Sequence, residues 1–313
     1  MPCDANESAP ARTSARVASA RGGVAGSLFR AMRPRQWIKN AVIFAALVFS
    51  HTLTEPAHLL RSAAAFLLFC GISSAVYLLN DILDLKNDRA HPTKSKRPIA
   101  AGEISIPLAC AVGVALAGGS LALAAVLSLP FAALALVYLA SNLFYSMWLK
   151  RVVIVDVMII SSGFVIRAVA GGVVIGVEVS AWLILCTIFL SLFLGFTKRR
   201  QELALLEERA TSHREILREY SIAFLDQTIA IVTSATLVAY FLYTLAPETR
   251  AKFQTPWLPL TIPFVIYGIF RYLYLVHHKQ MGESPTSALY ADRPLLVTIL
   301  LWAATAVAIL YLR

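Results

Sequence analysis

Nine consecutive residues, Asn80-Asp81-Ile82-Leu83-Asp84-Leu85-Lys86-Asn87-Asp88, hold the densest acid chemistry in this chain. On a helix, spacings of three, four and seven place the three aspartates on neighbouring positions of one face. Carboxylates this close repel one another unless something positive neutralises them. Hard carboxylate oxygens suit Mg2+, which takes one or two carboxylates together with substrate phosphates and keeps several waters. The functional reading is a Mg2+–diphosphate site. The competing reading is a solvated loop whose acids pair locally with Lys86 and Arg89.

Immediately downstream, Arg89-Ala90-His91-Pro92-Thr93-Lys94-Ser95-Lys96-Arg97-Pro98 carries two prolines, which break a helix and predict a loop folded over the acids. Lys94 and Arg97 are its candidate phosphate ligands, Arg as a bidentate fork and Lys as a point charge.

These residues need elements to hold them. Of 313 residues, 58% are hydrophobic and only 15% charged, with a mean hydropathy of +0.69, which excludes an ordinary soluble globule. Nine apolar runs follow one another, at about Trp37–Leu53, Leu59–Leu79, Ile104–Leu129, Pro130–Trp148, Val152–Val174, Val177–Phe196, Phe224–Leu245, Trp257–Val276 and Pro294–Leu312. Each is near the ~20 residues that carry a helix across the ~30 Å hydrocarbon core. The pattern predicts an all-α polytopic membrane protein with nine transmembrane helices.

The net charge of +10 then becomes a test of topology. With the amino terminus in the cytoplasm, only Arg61, Arg250, Lys252 and Arg313 fall outside and Arg167 falls within a span. All other Lys and Arg lie inside, as the positive-inside rule requires. The expectation is an amino terminus inside and a carboxyl terminus outside, with the acids facing the cytoplasm. Residues 1–30 read as a disordered basic tail and 31–313 as the catalytic domain. No separate basic domain is long enough for nucleic acid. Cys70, Cys110 and Cys186 sit in apolar runs without metal or redox spacing and read as small buried hydrophobes.

Topology explains cations at helix ends but not charges within them. Asp156 and Arg167 stand eleven residues apart on the fifth run, roughly 16 Å by helix rise, which is too far to pair directly. Each is expected to face a separate polar part of the interior.

The motifs NDxxDxxxD and DRxHPxKxxRPIxxG on a nine-helix chain resemble the UbiA-type intramembrane prenyltransferase superfamily. The likeness runs from about Arg33 to Arg313. It implies a nine-helix bundle whose cytoplasmic mouth binds Mg2+ and a diphosphate, with Asp81, Asp84 and Asp88 as the metal motif supported by Asn80. Mn2+ is an expected substitute. Two departures matter. Members carry a second DxxxD motif after the sixth helix, where this chain has Thr197-Lys198-Arg199-Arg200-Gln201-Glu202-Leu203. Their YxxxK motif is also stretched by one residue, to Tyr145 and Lys150.

These departures, with Arg33–Asn40, Tyr145–Lys150, Asp156–Met158, Gly163–Arg167 and Asp292-Arg293-Pro294, resemble one branch of the superfamily. That branch transfers phosphoribose to decaprenyl phosphate, a step towards the lipid-linked arabinose donor of cell-wall arabinan. The resemblance implies 5-phosphoribosyl 1-diphosphate as donor, a polyprenyl phosphate as acceptor, the membrane as partner and room for a homo-oligomer. The candidate catalytic residues are Asp81, Asp84, Asp88, Lys150 and Asp156. Lys198, Arg199 and Arg200 are candidates for the 5-phosphate, and Gln36, Lys39, Lys150 and Arg167 for either phosphate, with Asn80, Lys94, Arg97, Tyr145 and Glu202 completing the substrate-binding set. The expected chemistry is loss of diphosphate through an oxocarbenium-like state and attack by an already ionised lipid phosphate, so that no general base is obligatory. Rival readings are prenyl transfer to an aromatic acceptor such as 4-hydroxybenzoate, a transporter, or a non-catalytic lipid binder.

Overall fold

The computed structural model describes residues 23–90, 93–209, 215–279 and 285–312. It is helical, with no strand among the described residues. A short helix α1 (Val24–Ala31) leads into ten residues of tight 3₁₀ turns (Pro34–Ile43), which pass into α2 (Phe44–Val48). The long α3 (Pro56–Leu83) is followed by α4 (Leu85–Ala90), α5 (Ile106–Leu127), α6 (Leu129–Met147), α7 (Val155–Ile175), α8 (Ala181–Arg209) and α9 (Ile222–Leu245). Short α10 (Pro247–Phe253) precedes α11 (Ile262–His278), α12 (Pro285–Ala291) and α13 (Arg293–Tyr311).

The local causes of these boundaries are readable. Pro stands in the first turn of α3, α5, α6 and α13, where its missing N–H has no intrahelical partner to lose. Ser221 and Asp292 cap α9 and α13 by accepting from Phe224 N (3.1 Å) and Leu295 N (2.9 Å). Gly176, at φ +71°, ends α7 in the left-handed conformation that costs other residues most.

Among the described residues, eight helical segments are long and apolar enough to cross a membrane. They match eight of the nine predicted runs. The first run, Trp37–Leu53, differs: it is 3₁₀ turns plus a five-residue α-helix. Ten residues rising ~2.0 Å each and five rising ~1.5 Å still extend about 27 Å. Gln36 meets Thr286 just before α13 (3.4 Å), whereas Leu47 and Val48 accept from Tyr311 at the far end of α13 (3.4 and 2.8 Å). The two ends of the stretched segment therefore meet opposite ends of the α12–α13 stretch.

Two other expectations change. Residues 1–22 of the predicted tail lie outside the described residues, but Val24–Ala31 is helical. It is amphipathic: Leu28 and Ala31 pack on Leu78, Ile99 and Ile104, while Ser27 donates to Glu103 (2.6 Å) and Arg30 pairs with the same carboxylate. Of the cysteines, Cys70 is buried, Cys186 is partly covered and Cys110 is exposed on α5, a helix whose Val114, Leu123 and Val126 also face outward.

Successive long helices pack side by side from α3 through α5, α6, α7 and α8 to α9, and the stretched segment lies against α3 and α7. One apolar core joins it to Phe69, Phe131, Tyr138 and Val174. A second joins Val157, Phe193, Leu225 and Leu275 across α7, α8, α9 and α11. Close approach in the first core depends on Gly171, because a Cβ there would lie 2.1 Å from the Ile43 carbonyl oxygen. Gly171→Ala should push the segment off α7 and destabilise the protein by about 1–3 kcal/mol. Thermal melting in detergent checks this, with Gly118→Ala, which meets nothing within 4 Å, expected to melt like the wild type.

Candidate active site

The acidic motif straddles a helix junction. Asp81 lies in the last turn of α3, Asp84 caps it and Asp88 lies in α4. The predicted continuous face is thus interrupted, yet Asp84 N bonds Asn80 O (2.9 Å) and Asp88 N bonds Asp84 O (2.8 Å), so the helical spacing carries through the junction. Asp81 and Asp88 are almost fully buried, and Asp84 is partly exposed.

Each carboxylate has a cation, supplied by different parts of the chain. Arg33, ahead of the 3₁₀ segment, pairs with Asp81. Arg97 bridges Asp81 and Asp88 through one nitrogen, Nη1, at 3.1 and 2.5 Å. Lys150, in the turn between α6 and α7, reaches Asp84 at 2.8 Å. Asn80 accepts from Ser146 on α6. The proline-broken loop does fold over the acids, as predicted, and Arg97 is the arm that reaches them. His91 and Pro92 lie outside the described residues. Lys94 stands in the single turn Lys94–Lys96 of that loop.

As a metal site the cluster is half assembled. Among the described residues no three His, Cys, Asp or Glu side chains converge on one point. Yet Asp81 Oδ2 is buried with no hydrogen-bond partner, and the Asp81–Asp88 gap already holds a positive group in Arg97. A buried, unpaired carboxylate oxygen beside a second carboxylate is a donor set that fits a hard divalent cation.

A second polar cluster gathers where α7 and α8 meet. Arg199, 1% exposed, donates from Nε to Asp156 (2.6 Å), from Nη1 to Glu202 (2.5 Å) and from Nη2 to the Tyr145 hydroxyl (3.2 Å). Lys198 lies 3.6 Å from Glu202. Arg200 turns to Asp226 on α9 (2.5 and 3.3 Å), which His277 of α11 also approaches at 3.5 Å. The Lys198–Glu202 stretch was expected after the sixth membrane helix; it lies within α8. Tyr145 and Ser146 are adjacent on α6, so one turn of helix joins the two clusters.

Asp156 has a second partner in the Tyr220 hydroxyl (2.9 Å), which also accepts from Ile154 N (2.7 Å). Ile154 has φ +70° and ψ −47°, and Val155 N bonds Val153 O across it (2.8 Å). A β-branched residue in such a γ-turn is strained. Burial pushes the Tyr220 phenol up to about 12, so it stays protonated and donates to Asp156 at neutral pH. Tyr220→Phe should release this strained turn and cost about 1–3 kcal/mol. A melting temperature equal to wild type would show that Tyr220 does not hold the turn.

Arg167 is separate from Asp156, as its spacing predicted. It donates to Asn40 Oδ1 (2.7 Å), Gly163 O (2.8 Å) and the Tyr138 hydroxyl (2.6 Å), and lies over the Tyr138 ring at 4.5 Å. Lys39 sits one residue before Asn40, and Gln36 accepts from Thr286. Sequence reasoning did not single out Arg33, Asn40, Tyr138, Ser146 or Tyr220 as site residues. Nothing in one sequence separates Arg33 from other inner-end cations, or these polar residues from ordinary interhelical contacts.

A family profile described as the UbiA prenyltransferase family matches residues 41–291. Three curated relatives are named decaprenyl-phosphate phosphoribosyltransferase. That of Corynebacterium glutamicum is 33% identical, over 92% of this chain and 88% of its own. That of Mycolicibacterium smegmatis is 36% identical, over 91% and 92%. That of Mycobacterium tuberculosis is 37% identical, over 90% and 93%. Among solved structures, a UbiA homologue from Archaeoglobus fulgidus bound to GPP and Mg2+ superposes with a TM-score of 0.67 at 18% identity, covering 91% of this chain and 99% of that one. The same homologue bound to Cd2+ gives a TM-score of 0.65.

Proposed function

The chain belongs to the UbiA prenyltransferase family, a multi-pass membrane-embedded transferase fold, and from that premise we propose its reaction. It transfers the 5-phosphoribosyl group of 5-phosphoribosyl 1-diphosphate to a polyprenyl phosphate, decaprenyl phosphate by analogy with its relatives, and releases diphosphate. The observation that carries this reading is the α8 stretch. Its three cations and one acid leave a single carboxylate motif, Asp81, Asp84 and Asp88, for the leaving diphosphate, and Lys198, 37% exposed and 3.6 Å from Glu202, is free enough to turn to a further phosphate. Identity of 33–37% along nearly the whole chain to relatives of that name supports it.

Asp81, Asp84 and Asp88 are the residues that would hold Mg2+, or Mn2+ in its place; the orphaned Asp81 Oδ2 supports that assignment. The bound ion supplies charge withdrawal from the departing diphosphate. Arg97 and Lys150, already at the aspartates, are placed to move onto diphosphate oxygens as it binds. Asp156 is a positioning residue: it fixes Arg199 and, through it, Tyr145. The acceptor phosphate is ionised near neutral pH and attacks the anomeric carbon without a side-chain base. Catalysis is then mainly orientation and fixed charge in a site screened from water.

The stretched segment Pro34–Val48 is proposed as a ninth crossing, supported by its contacts with Thr286 of α12 near one end and Tyr311 of α13 at the other. Nine crossings put the amino terminus and the acids on the cytoplasmic side of a bacterial inner membrane, in keeping with the distribution of Lys and Arg. The test offers purified protein two substrate pairs: 5-phosphoribosyl 1-diphosphate with polyprenyl phosphate, and a prenyl diphosphate with 4-hydroxybenzoate. Mg2+-dependent phosphoribosyl lipid is the expected product. Product from the second pair alone would overturn the reading.

A further inference from the structure

Most cations of the two polar clusters and the inner helix ends are neutralised within the protein. Arg33, Arg97, Lys150, Lys198, Arg199, Arg200 and Arg271 each have a carboxylate partner. Two cations depart from this pattern. Arg167, 5% exposed, has only neutral acceptors in Asn40, Gly163 and Tyr138, and no carboxylate among the described residues pairs with it. Lys39, one residue from the Asn40 that holds Arg167, has no hydrogen bond or ion pair among the described residues. The charges acting on it belong to Lys198, Arg167 and Arg33, all positive.

An uncompensated guanidinium inside a membrane bundle is costly and marks the place of a partner, and a lysine beside it is held as an ammonium when an anion joins the two. The neutral contacts of Arg167 satisfy three of its five N–H donors and leave its charge unbalanced. The Tyr138 and Phe164 rings, 4.5 and 5.3 Å from the guanidinium, ease that cost without removing it. The arrangement is also ordered in depth. Arg33, at the start of the stretched segment, binds Asp81, whereas Asn40, seven residues later, accepts from Ser73 of α3 (3.3 Å). Ser73 lies eight residues before Asp81, about 12 Å along the helix. Cations thus run from the acidic motif into the bundle and end at Arg167.

We infer that Lys39 and Arg167 form a seat for a phosphate monoester dianion, deeper than the acidic motif and separate from it. The inference rests on the phosphoribosyl-transfer reading and refines it. Sequence reasoning offered Lys198, Arg199 and Arg200 for the 5-phosphate and Gln36, Lys39, Lys150 and Arg167 for either phosphate; of these, Arg199 and Arg200 already hold Asp156, Glu202 and Asp226, and Lys150 holds Asp84. The unbalanced positive charge lies instead on the stretched segment and α7. The same chemistry has two sources in this reaction, the 5-phosphate of the donor and the phosphate headgroup of the lipid acceptor.

The experiment measures binding of three radiolabelled probes to the full-length protein in detergent: ribose 5-phosphate, farnesyl phosphate and Mg2+-diphosphate. Wild type should bind at least one monoester. Lys39→Met, on a partly exposed side chain, should weaken that monoester at least tenfold, a change of about 1.4 kcal/mol. Lys39→Arg should stay near wild type, and diphosphate affinity should move less than twofold in both. A loss confined to ribose 5-phosphate assigns the seat to the donor; a loss confined to farnesyl phosphate assigns it to the lipid headgroup. The seat is overturned if Lys39→Met and Arg167→Lys, both melting like wild type, bind both monoesters within twofold of wild type. It is also overturned if diphosphate affinity falls in parallel, or if wild type binds diphosphate but neither monoester. Turnover by wild type judges the reaction separately. A protein that forms phosphoribosyl lipid with unmoved monoester affinities keeps the reaction and loses the seat. One that forms none but binds farnesyl phosphate through Lys39 keeps the seat and loses the reaction.

Discussion

Asp84→Asn is expected to insert and melt like the wild type and to lose about 10²–10³-fold in turnover, because a carboxylate that would hold the metal is lost and with it part of the charge withdrawal from the departing diphosphate. The argument rests on exposure and pairing. Asp84 keeps 27% of its side chain accessible and, among the described residues, its only ion pair is with Lys150 at 2.8 Å, so the amide is accommodated with little strain. Asp81→Asn should lose at least as much activity, but it is a less clean test. Asp81 is 2% exposed and takes charge from both Arg33 and Arg97, and an amide would leave two guanidinium groups under-neutralised in the interior. Steady-state kinetics alongside thermal melting separates the two variants. Full turnover by Asp84→Asn would remove the aspartate motif from the mechanism.

Arg199→Ala is expected to damage the fold before it touches donor affinity. Arg199 and Asp156 are 1% and 0% exposed and 2.6 Å apart, so removing the arginine strands a buried carboxylate. Breaking such a pair from one side costs about 3–5 kcal/mol. The melting temperature should fall on the order of 10 °C. Asp156→Asn combined with Arg199→Gln should recover part of the loss, because neither partner is then left as an unpaired charge. Lys198→Ala, one residue away, removes a side chain that is 37% exposed and lies 3.6 Å from Glu202; it should melt like wild type and raise the donor KM. If Arg199→Ala melts normally and raises the donor KM as Lys198→Ala does, Arg199 is a substrate ligand and the positioning role assigned to it fails.

Eight of the nine apolar runs were legible as membrane-spanning helices because a bilayer demands the same thing of every span, about 20 apolar residues with their backbone groups bonded internally. Composition alone reports that demand. The exception is instructive. The first run passed the same test, yet it folds as 3₁₀ turns, since its backbone must press against α7 at Gly171 and carry Lys39 and Asn40 into the interior. The acidic motif was equally legible, because acids at an inner helix end serve no topological purpose. Its junction at Asp84 was not, since the hydrogen bonds that preserve the helical spacing exist in either case. Within Lys198–Glu202 the sequence showed an excess of cations and nothing about which were already paired.

By itself, then, the sequence determined the class of fold and the place of the acidic motif, which depend on local length, hydropathy and spacing, and its likeness to known relatives carried the reaction. Only the tertiary structure decided which charge meets which. Arg33 and Asp81 are 48 residues apart in the chain, Lys150 and Asp84 are 66 apart, and Arg199 and Asp156 are 43 apart. Pairing over such separations is set by how helices pack, and no residue's neighbours in sequence announce it. Lys39 and Arg167 stood among the candidate phosphate ligands in the sequence, beside Lys150 and the α8 cations; packing sets them apart, because those other cations have carboxylate partners and these two have none among the described residues.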